Sequence, residues 1–492
     1  MLKSVLIANR GEIALRVIRA CKEMGIRTVA VYSAADAHAR HVQAADAAAF
    51  IGEAPPTASY LNIPALIRAA QEHGCDAVHP GYGFLSEREA FAQAVLDAGL
   101  VWIGPSPRAI ALMGVKTTAR ALMEQAGVPV VPGYQGDDDS LETLTREAER
   151  IGYPLMVKAA GGGGGKGIRI VRAAPDLAEN LRAARSEAQK AFNDPRLFLE
   201  RYVERGRHIE VQIIGDHHGA LLHLYERECS VQRRHQKIIE ESPSPFLTPQ
   251  QREAICQAAV QAGRAVDYVN AGTVEFIAGE NGEFYFLEMN TRLQVEHPVT
   301  EMVTGVDLVK WQLKVAAGEP LPLAQQSIRQ RGHAVECRVY AEDPHNGFLP
   351  AVGTVELFVP PSAPGVRVDS GIASGDEITI HYDPMIAKII AHDATREDAI
   401  ARMVAALRHT VLLGTTTNLD FLAALLQSDA FRQARIDTTT LDQRLADFLP
   451  PVPSLPDAAL LALALEDMAA PGGAQRAAAA HDPWDAADSW RG

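Results

Sequence analysis

The chain has 492 residues, 47% hydrophobic, 22% charged and 6% aromatic, a globular composition too long for one core, so two to four packed modules are expected. Its formal net charge of −14 argues against nucleic acid or an anionic membrane as the main partner, and leaves anion binding to places where cations are concentrated locally. The cysteines (Cys21, Cys75, Cys229, Cys256, Cys337) are odd in number and far apart, with no C-x-x-C pair, so neither a disulfide framework nor a zinc site is suggested.

The opening MLKSVLIANRGEIALRV has neither the long apolar core nor the small-residue cleavage site of a secretion signal. No apolar run reaches the length of about 18 residues that a membrane span needs. A soluble, cytoplasmic protein is expected. Residues 4–8 read as a buried strand, then a loop (Asn9-Arg10-Gly11-Glu12), an amphipathic helix over 13–24 and a strand at 28–32. The alternation continues through strands at 76–79 and 100–103, which predicts a doubly wound parallel α/β domain over 1–105. The first loop has one glycine and no G-x-G-x-x-G, so a dinucleotide site there is not expected. A helical connection follows over 106–130. A smaller unit spans 131–203, with strands at 154–158 and 168–171 flanking a glycine run. From 204 to 447 longer alternating strands suit a larger mixed or antiparallel sheet. Residues 448–492 begin Pro-Pro-Val-Pro and turn alanine-rich, as a linker or peripheral helix does.

Between the strands of the smaller unit, six of the seven residues from Gly161 to Gly167 are glycine, the seventh being Lys166. Glycines let backbone N–H groups turn towards an anion, and a lysine adds charge, which is the physics of a phosphate-covering loop. It is not a Walker A loop, because Lys166 is followed by Gly167 and not Ser or Thr. A flexible linker is the competing reading. The stretch from Glu226 to Lys237 is rich in cations without aromatics, and an anion pocket is its economical reading. Further on, Asn281-Gly282 between apolar alternations predicts a hairpin. On it Glu288 and Asn290 share a face by period two, with Glu275 across from them, an oxygen set that suits Mg²⁺. In Thr291-Arg292-Leu293-Gln294-Val295-Glu296-His297-Pro298, alternation puts Arg292, Gln294 and Glu296 on one side. That predicts either an anion-binding guanidinium beside a carboxylate base, or a structural Arg292–Glu296 bridge.

Together these segments resemble the ATP-grasp family, and within it the biotin carboxylases. The resemblance covers about residues 1–447. It rests on Ile7 to Ala14, His79 to Glu87, the glycine loop, Arg233 to Lys237 and Glu288 to Pro298, each long and ungapped. It implies an ATP-grasp fold: an N-terminal doubly wound domain, a small mobile lid and a larger mixed-sheet C-terminal domain, α/β overall and α+β in its C-terminal part. It further implies that Lys116, Lys158, Gly163, Gly164, Gly165, Lys166, Gly167, Glu200, Val203, His208, Gln232, His235, Glu275 and Glu288 bind ATP. Glu275, Glu288 and Asn290 take the metal positions for Mg²⁺ or Mn²⁺. Lys237, Arg292, Gln294 and Val295 form the bicarbonate pocket, and Glu296 is the base. Arg338 stabilises a biotin enolate, and Tyr82 lies near the ureido ring.

The activity implied is phosphorylation of bicarbonate by ATP, then carboxylation of biotin on a biotin carboxyl carrier domain, with a carboxyltransferase subunit completing the reaction. A homodimer or larger oligomer is compatible with this. Two departures stand out. Ile436 to Leu441 lacks the histidine that related chains place near the adenine, and there is no Met-Lys dipeptide for biotin attachment. The tail from His481 to Gly492 resembles the segment after the carboxylase domain in α subunits of the methylcrotonyl- and geranyl-CoA type, so a carrier domain is expected beyond Gly492. Two other readings are an ATP-grasp ligase with an amine acceptor, and a nucleotide-binding module without catalysis.

Overall fold

In the computed structural model the described residues are 2–136, 138–159, 169–192, 194–451 and 457–469. The glycine loop, including Gly163, Gly164, Gly165, Lys166 and Gly167, lies outside them, as does the tail from 470 onwards. The chain divides into two units, Met1–Leu449 and Pro450–Gly492. Among the described residues no helix is long and apolar enough to cross a membrane.

The first unit begins with the expected parallel sheet. Strands β1 (Ser4–Ile7), β2 (Arg27–Ser33), β3 (Ala47–Gly52), β4 (Ala77–His79) and β5 (Val101–Trp102) lie in the order β3-β2-β1-β4-β5. All pairs are parallel. Helix α1 (Gly11–Glu23) buries Ile13, Ala14, Val17, Ile18 and Cys21 at helical spacing. Helices α2 (Arg40–Ala44), α3 (Ile63–Glu72) and α4 (Glu89–Asp97) complete the crossovers, and α5 (Pro107–Gly114) and α6 (Lys116–Gln125) lead away. β3 is the strand that periodicity alone does not reveal: AAAFIG is alanine-rich and half-exposed.

A separate four-stranded antiparallel sheet follows, in the order β6-β9-β7-β8. It is built from β6 (Gly133–Tyr134), β7 (Leu155–Ala159), β8 (Arg169–Val171) and β9 (Leu197–Arg201). Helices α7 (Leu141–Ile151) and α8 (Leu177–Phe192) cover it, and together they enclose a core of their own. Because β7 and β8 pair antiparallel, from Leu155↔Val171 to Val157↔Arg169, the glycine run connects adjacent strands of one sheet.

The third sheet has eight strands, and every pairing in it is antiparallel. These are β10 (Arg207–Gly215), β11 (Leu221–Arg233), β12 (Gln236–Ser242), β13 (Asn270–Ala278), β14 (Phe284–Asn290), β15 (His333–Tyr340), β16 (Val366–Ser370) and β17 (Met385–Asp393), in the order β14-β13-β10-β11-β12-β15-β17-β16. Alternation assigns its faces. On β15, Val335, Cys337 and Val339 enter the core under helices α12 (Arg396–His409) and α13 (Leu419–Gln427). Ala334 instead meets Val299 and Val303 of α10 (His297–Thr304). Helix α9 (Pro249–Arg264) backs β10 and β11, and α11 (Leu308–Ala316) packs with α1. In the second unit the described helix is Asp457–Ala469.

Candidate active site

A cleft of about 1000 Å³ opens between the small four-stranded sheet and the eight-stranded one. Lys116 at the start of α6, Lys158 on β7 and Glu200 on β9 line its outer part, with Val203, Gln232 and His235. Its inner wall is built from His208, Lys237, Glu275, Glu288, Asn290, Arg292, Gln294, Val295, Glu296 and Arg338. Every described residue to which the resemblance assigns a role reaches this cleft except Tyr82.

The inner wall follows from strand register. β10, β13 and β14 are neighbours, so Glu210 stands opposite Glu275, and Glu275 opposite Glu288. Lys237 projects into this group with Nζ 2.6 Å from Glu210, 2.9 Å from Glu275 and 2.7 Å from Glu296. Asn290 Nδ2 and Gln294 Nε2 donate to Glu275 Oε1 at 2.9 and 2.8 Å. Arg338 Nη2 lies 3.0 Å from Glu296 Oε2. Burial opposes the charged form of Glu296, but Lys237, Arg338 and Arg227 outweigh it and hold the carboxyl well below the usual range. Burial likewise works against Glu275, and Lys237 and His208 reverse it. Glu296 is therefore an anion at neutral pH, able to accept a proton or to orient a cation.

The donor set also indicates which residues fit a divalent cation. Glu288 is raised first by burial and then by the charge of Glu275 facing it. Two carboxylates opposed in this way, with the Asn290 carboxamide beside them, match the oxygen preference of Mg²⁺. Ligand-type atoms of His208, Glu210 and Glu275 also lie within 4.8 Å of one another. There, however, the Lys237 ammonium already contacts both carboxylates. Lys116 Nζ is 3.8 Å from Glu288, and Lys158 pairs with Glu200, which places two cations along the outer cleft.

One expectation from spacing is corrected, and one of two alternatives is set aside. Arg292, Gln294 and Glu296 do not alternate along a strand, because β14 ends at Asn290 and residues 291–296 form an irregular turn into α10. Nor do Arg292 and Glu296 pair. Arg292 Nε donates to Glu87 at 2.9 Å and its Nη2 to Asn290 at 2.8 Å. In the 226–237 run, Arg227 is fully buried and binds Glu210, Gln212, Thr273, Gln294 and Thr300. Arg233 stacks on Phe348 and pairs with Glu342. Only Gln232, His235, Gln236 and Lys237 of the run face the cleft. Tyr82 stands outside it. Its hydroxyl donates to Glu12, which is 3.2 Å from the buried Lys388, whose Nζ in turn donates to the Val295 carbonyl at 2.7 Å.

Sequence reasoning missed Glu210 and Arg227, which hold Lys237 and Gln294, and Glu87, which holds Arg292. A signal for Glu210 existed: His208, Glu210 and Gln212 alternate with the apolar Ile209, Val211 and Ile213 along one strand. Thr438 and Thr439 also line the cleft, in the segment that lacks the expected histidine.

Comparison with known proteins gives three consecutive family matches. They are the biotin carboxylase N-terminal domain over 1–110, the carbamoyl-phosphate synthase L chain ATP-binding domain over 115–324 and the biotin carboxylase C-terminal domain over 336–443. The biotin carboxylase of Allochromatium vinosum is 51% identical over 432 residues, covering 88% of this chain and 96% of that protein. The chain belongs to the biotin carboxylase family.

Among solved biotin carboxylases, the domain of Hydrogenobacter thermophilus 2-oxoglutarate carboxylase, a dimer in complex with MgADP, ADP and bicarbonate, superposes with a TM-score of 0.84 at 47% identity. It covers 92% of this chain and 100% of that one. The Campylobacter jejuni biotin carboxylase–β,γ-ATP complex gives 0.84 at 45% identity, over 90% and 99% of the two chains. The mitochondrial methylcrotonoyl-CoA carboxylase α subunit of Rattus norvegicus is 51% identical over 447 residues. This chain spans 62% of that subunit's length and matches over 91% of its own.

Proposed function

We propose that the chain carboxylates the biotin of a biotin carboxyl carrier domain, using ATP and bicarbonate, as the first half-reaction of an acyl-CoA carboxylase. The observation that carries this reading is the meeting of Lys237, Glu296 and Arg338 beside the Glu275, Glu288 and Asn290 donors. It joins an anion pocket and a buried base to a site suited to a metal nucleotide.

In this reading the outer cleft takes ATP. Glu200 and Val203 hold the nucleoside end, His208, Gln232 and His235 flank it, and Lys116 and Lys158 offset phosphate charge. The loop from Gly163 to Gly167, with Lys166, covers the phosphates. A bound divalent cation held by Glu275, Glu288 and Asn290 supplies further neutralisation of phosphate charge. Bicarbonate sits against Lys237, Arg292, Gln294 and the Val295 backbone. Glu296 takes its proton as a bicarbonate oxygen attacks the γ-phosphorus and ADP leaves, giving carboxyphosphate. Carboxyphosphate breaks to CO₂ and phosphate, and phosphate removes the ureido N–H proton of biotin. The enolate so formed, held by Arg338 with Tyr82 at the ring, adds to CO₂. A closed cleft excludes water from the labile intermediate.

The same proposal includes the division of the chain at residues 105, 130, 203 and 447, supported by three separate sheets. It also includes a carrier domain and a carboxyltransferase as partners, association into a homodimer, and a cytoplasmic setting. The acyl-CoA is chosen by the carboxyltransferase. The test is bicarbonate-dependent ADP release with and without free biotin. Stimulation by biotin is expected; stimulation by ammonia with biotin inert overturns the reading in favour of an amine-accepting ligase.

A further inference from the structure

The contacts of Arg338 extend behind the cleft. On β15 Arg338 follows Glu336 by two residues, so the two share a face, and on β12 Glu240 stands directly opposite Glu336. Glu240 Oε1 accepts from Arg338 Nε at 2.6 Å and lies 2.5 Å from Nη2. The same Nη2 is 3.0 Å from Glu296 Oε2. The guanidinium is thus gripped between two carboxylates, of which Glu296 lines the cleft and Glu240 is fully buried behind it.

The surroundings of Glu240 indicate what that grip does. Among the described residues its second oxygen, and both oxygens of Glu336, are buried without a hydrogen-bond partner. Two carboxyls facing one another in such dry surroundings cannot both ionise. Burial lifts Glu240 to about 7 against the pull of Arg338. It lifts Glu336 well above the carboxylate range, with Glu240 adding to the effect against Lys388. Glu336 is the neutral partner, which leaves Glu240 to meet Arg338. Holding the Nε–Nη2 edge fixes the guanidinium plane, because an arginine fork has one productive direction per edge.

We propose that Glu240 is a positioning residue, orienting Arg338 for the biotin-dependent half of the reaction. This rests on the biotin carboxylase reading above. The competing role, balancing a buried positive charge, differs in one respect: position needs an acceptor oxygen at Oε1, whereas charge balance needs an anion. Glu240→Gln separates the two, since its amide oxygen still accepts from Nε but carries no charge.

The experiment is steady-state ATP hydrolysis by the full chain with bicarbonate, with and without free biotin. In Glu240→Ala the ratio of biotin-dependent to biotin-independent rate falls about tenfold or more, and KM for biotin rises more than KM for ATP. In Glu240→Gln the ratio returns to within about threefold of the unsubstituted chain. If Glu240→Ala does not fold, Glu240→Asp, which withdraws the carboxylate by one methylene, carries the same expected fall. A ratio unchanged in the Ala or Asp variant overturns the proposal, as does a Gln variant as defective as Ala. An unsubstituted chain whose ATP hydrolysis ignores biotin removes the biotin carboxylase reading, and this proposal with it. A biotin-stimulated chain with an unaffected Glu240→Ala variant removes only the positioning role.

Discussion

Glu296 lies between Lys237 and Arg338, each within 3.0 Å of one of its oxygens. As the base of the proposed reaction it must be ionised before bicarbonate arrives, and these cations keep it so. Glu296→Gln preserves shape and removes the basic site, so kcat is expected to fall by about 10²–10⁴-fold. Nucleotide affinity, measured by titration calorimetry, should stay within about threefold of the parent, since Glu296 faces the anion end of the cleft. Arg227 illustrates a different kind of importance. It is fully buried and makes five side-chain contacts, so Arg227→Met leaves Glu210 beside Lys237 without its second cation. A loss of about 3–5 kcal/mol in denaturant unfolding is expected. At this scale the sequence was legible where residues sit in unbroken segments, as from Glu288 to Glu296. It was illegible at Arg227 and Glu240, because a charge on a strand looks the same whether water or five protein groups surround it.

The elements carry these residues with different degrees of precision. The hairpin joining β13 and β14 could be anticipated because Asn281-Gly282 supplies the turn, with Gly282 at φ +85°. The turn from Thr291 to Glu296 could not, because its shape is set by contacts from elsewhere. Glu87 accepts from the Thr291 backbone and from Arg292, and Lys388 holds the Val295 carbonyl. Local alternation therefore misled where long-range hydrogen bonds overrode it. The helices behind the sheet are secured locally. Thr248 and Gln251 form a reciprocal capping box at the start of α9, and α9 covers the back of β10 and β11. Thr248→Ala should cost about 1 kcal/mol, read as a fall in Tm with no change in KM for ATP, because the cap is remote from the cleft.

For the whole molecule the order of sheets was readable from the alternation of strands and helices. The isolation of the small sheet's core was not, because burial between Leu144, Leu155, Leu181 and Leu199 depends on how distant segments meet. Stability towards acid is also a property of the assembled fold. His41 and His79 are both lowered to about 4, mainly by burial. A histidine with a folded pKa below its unfolded value of about 6.5 binds more protons unfolded, so its contribution is complete above pH 6.5 and is lost as pH falls towards 4. The contribution of these two histidines to calorimetric Tm is therefore expected to hold steady above about pH 6.5 and to decline between about 6.5 and 4, while Glu240 and Glu336, raised in the folded state, act in the opposite sense. His79→Gln should flatten that decline.

The buried cysteines have a practical consequence. All five are free and buried. Burial pushes Cys21 up to about 12 and Cys229, Cys256 and Cys337 well above the ordinary thiol range. None lies between residues 131 and 203. Thiolate is the reactive form, so an alkylating reagent at neutral pH should leave the native chain unmodified, whether or not the small four-stranded sheet moves. Incorporation of label then becomes a clock for the opening of the two larger sheets, blind to any movement of the small one, and its rate should slow when nucleotide ties the folded state together.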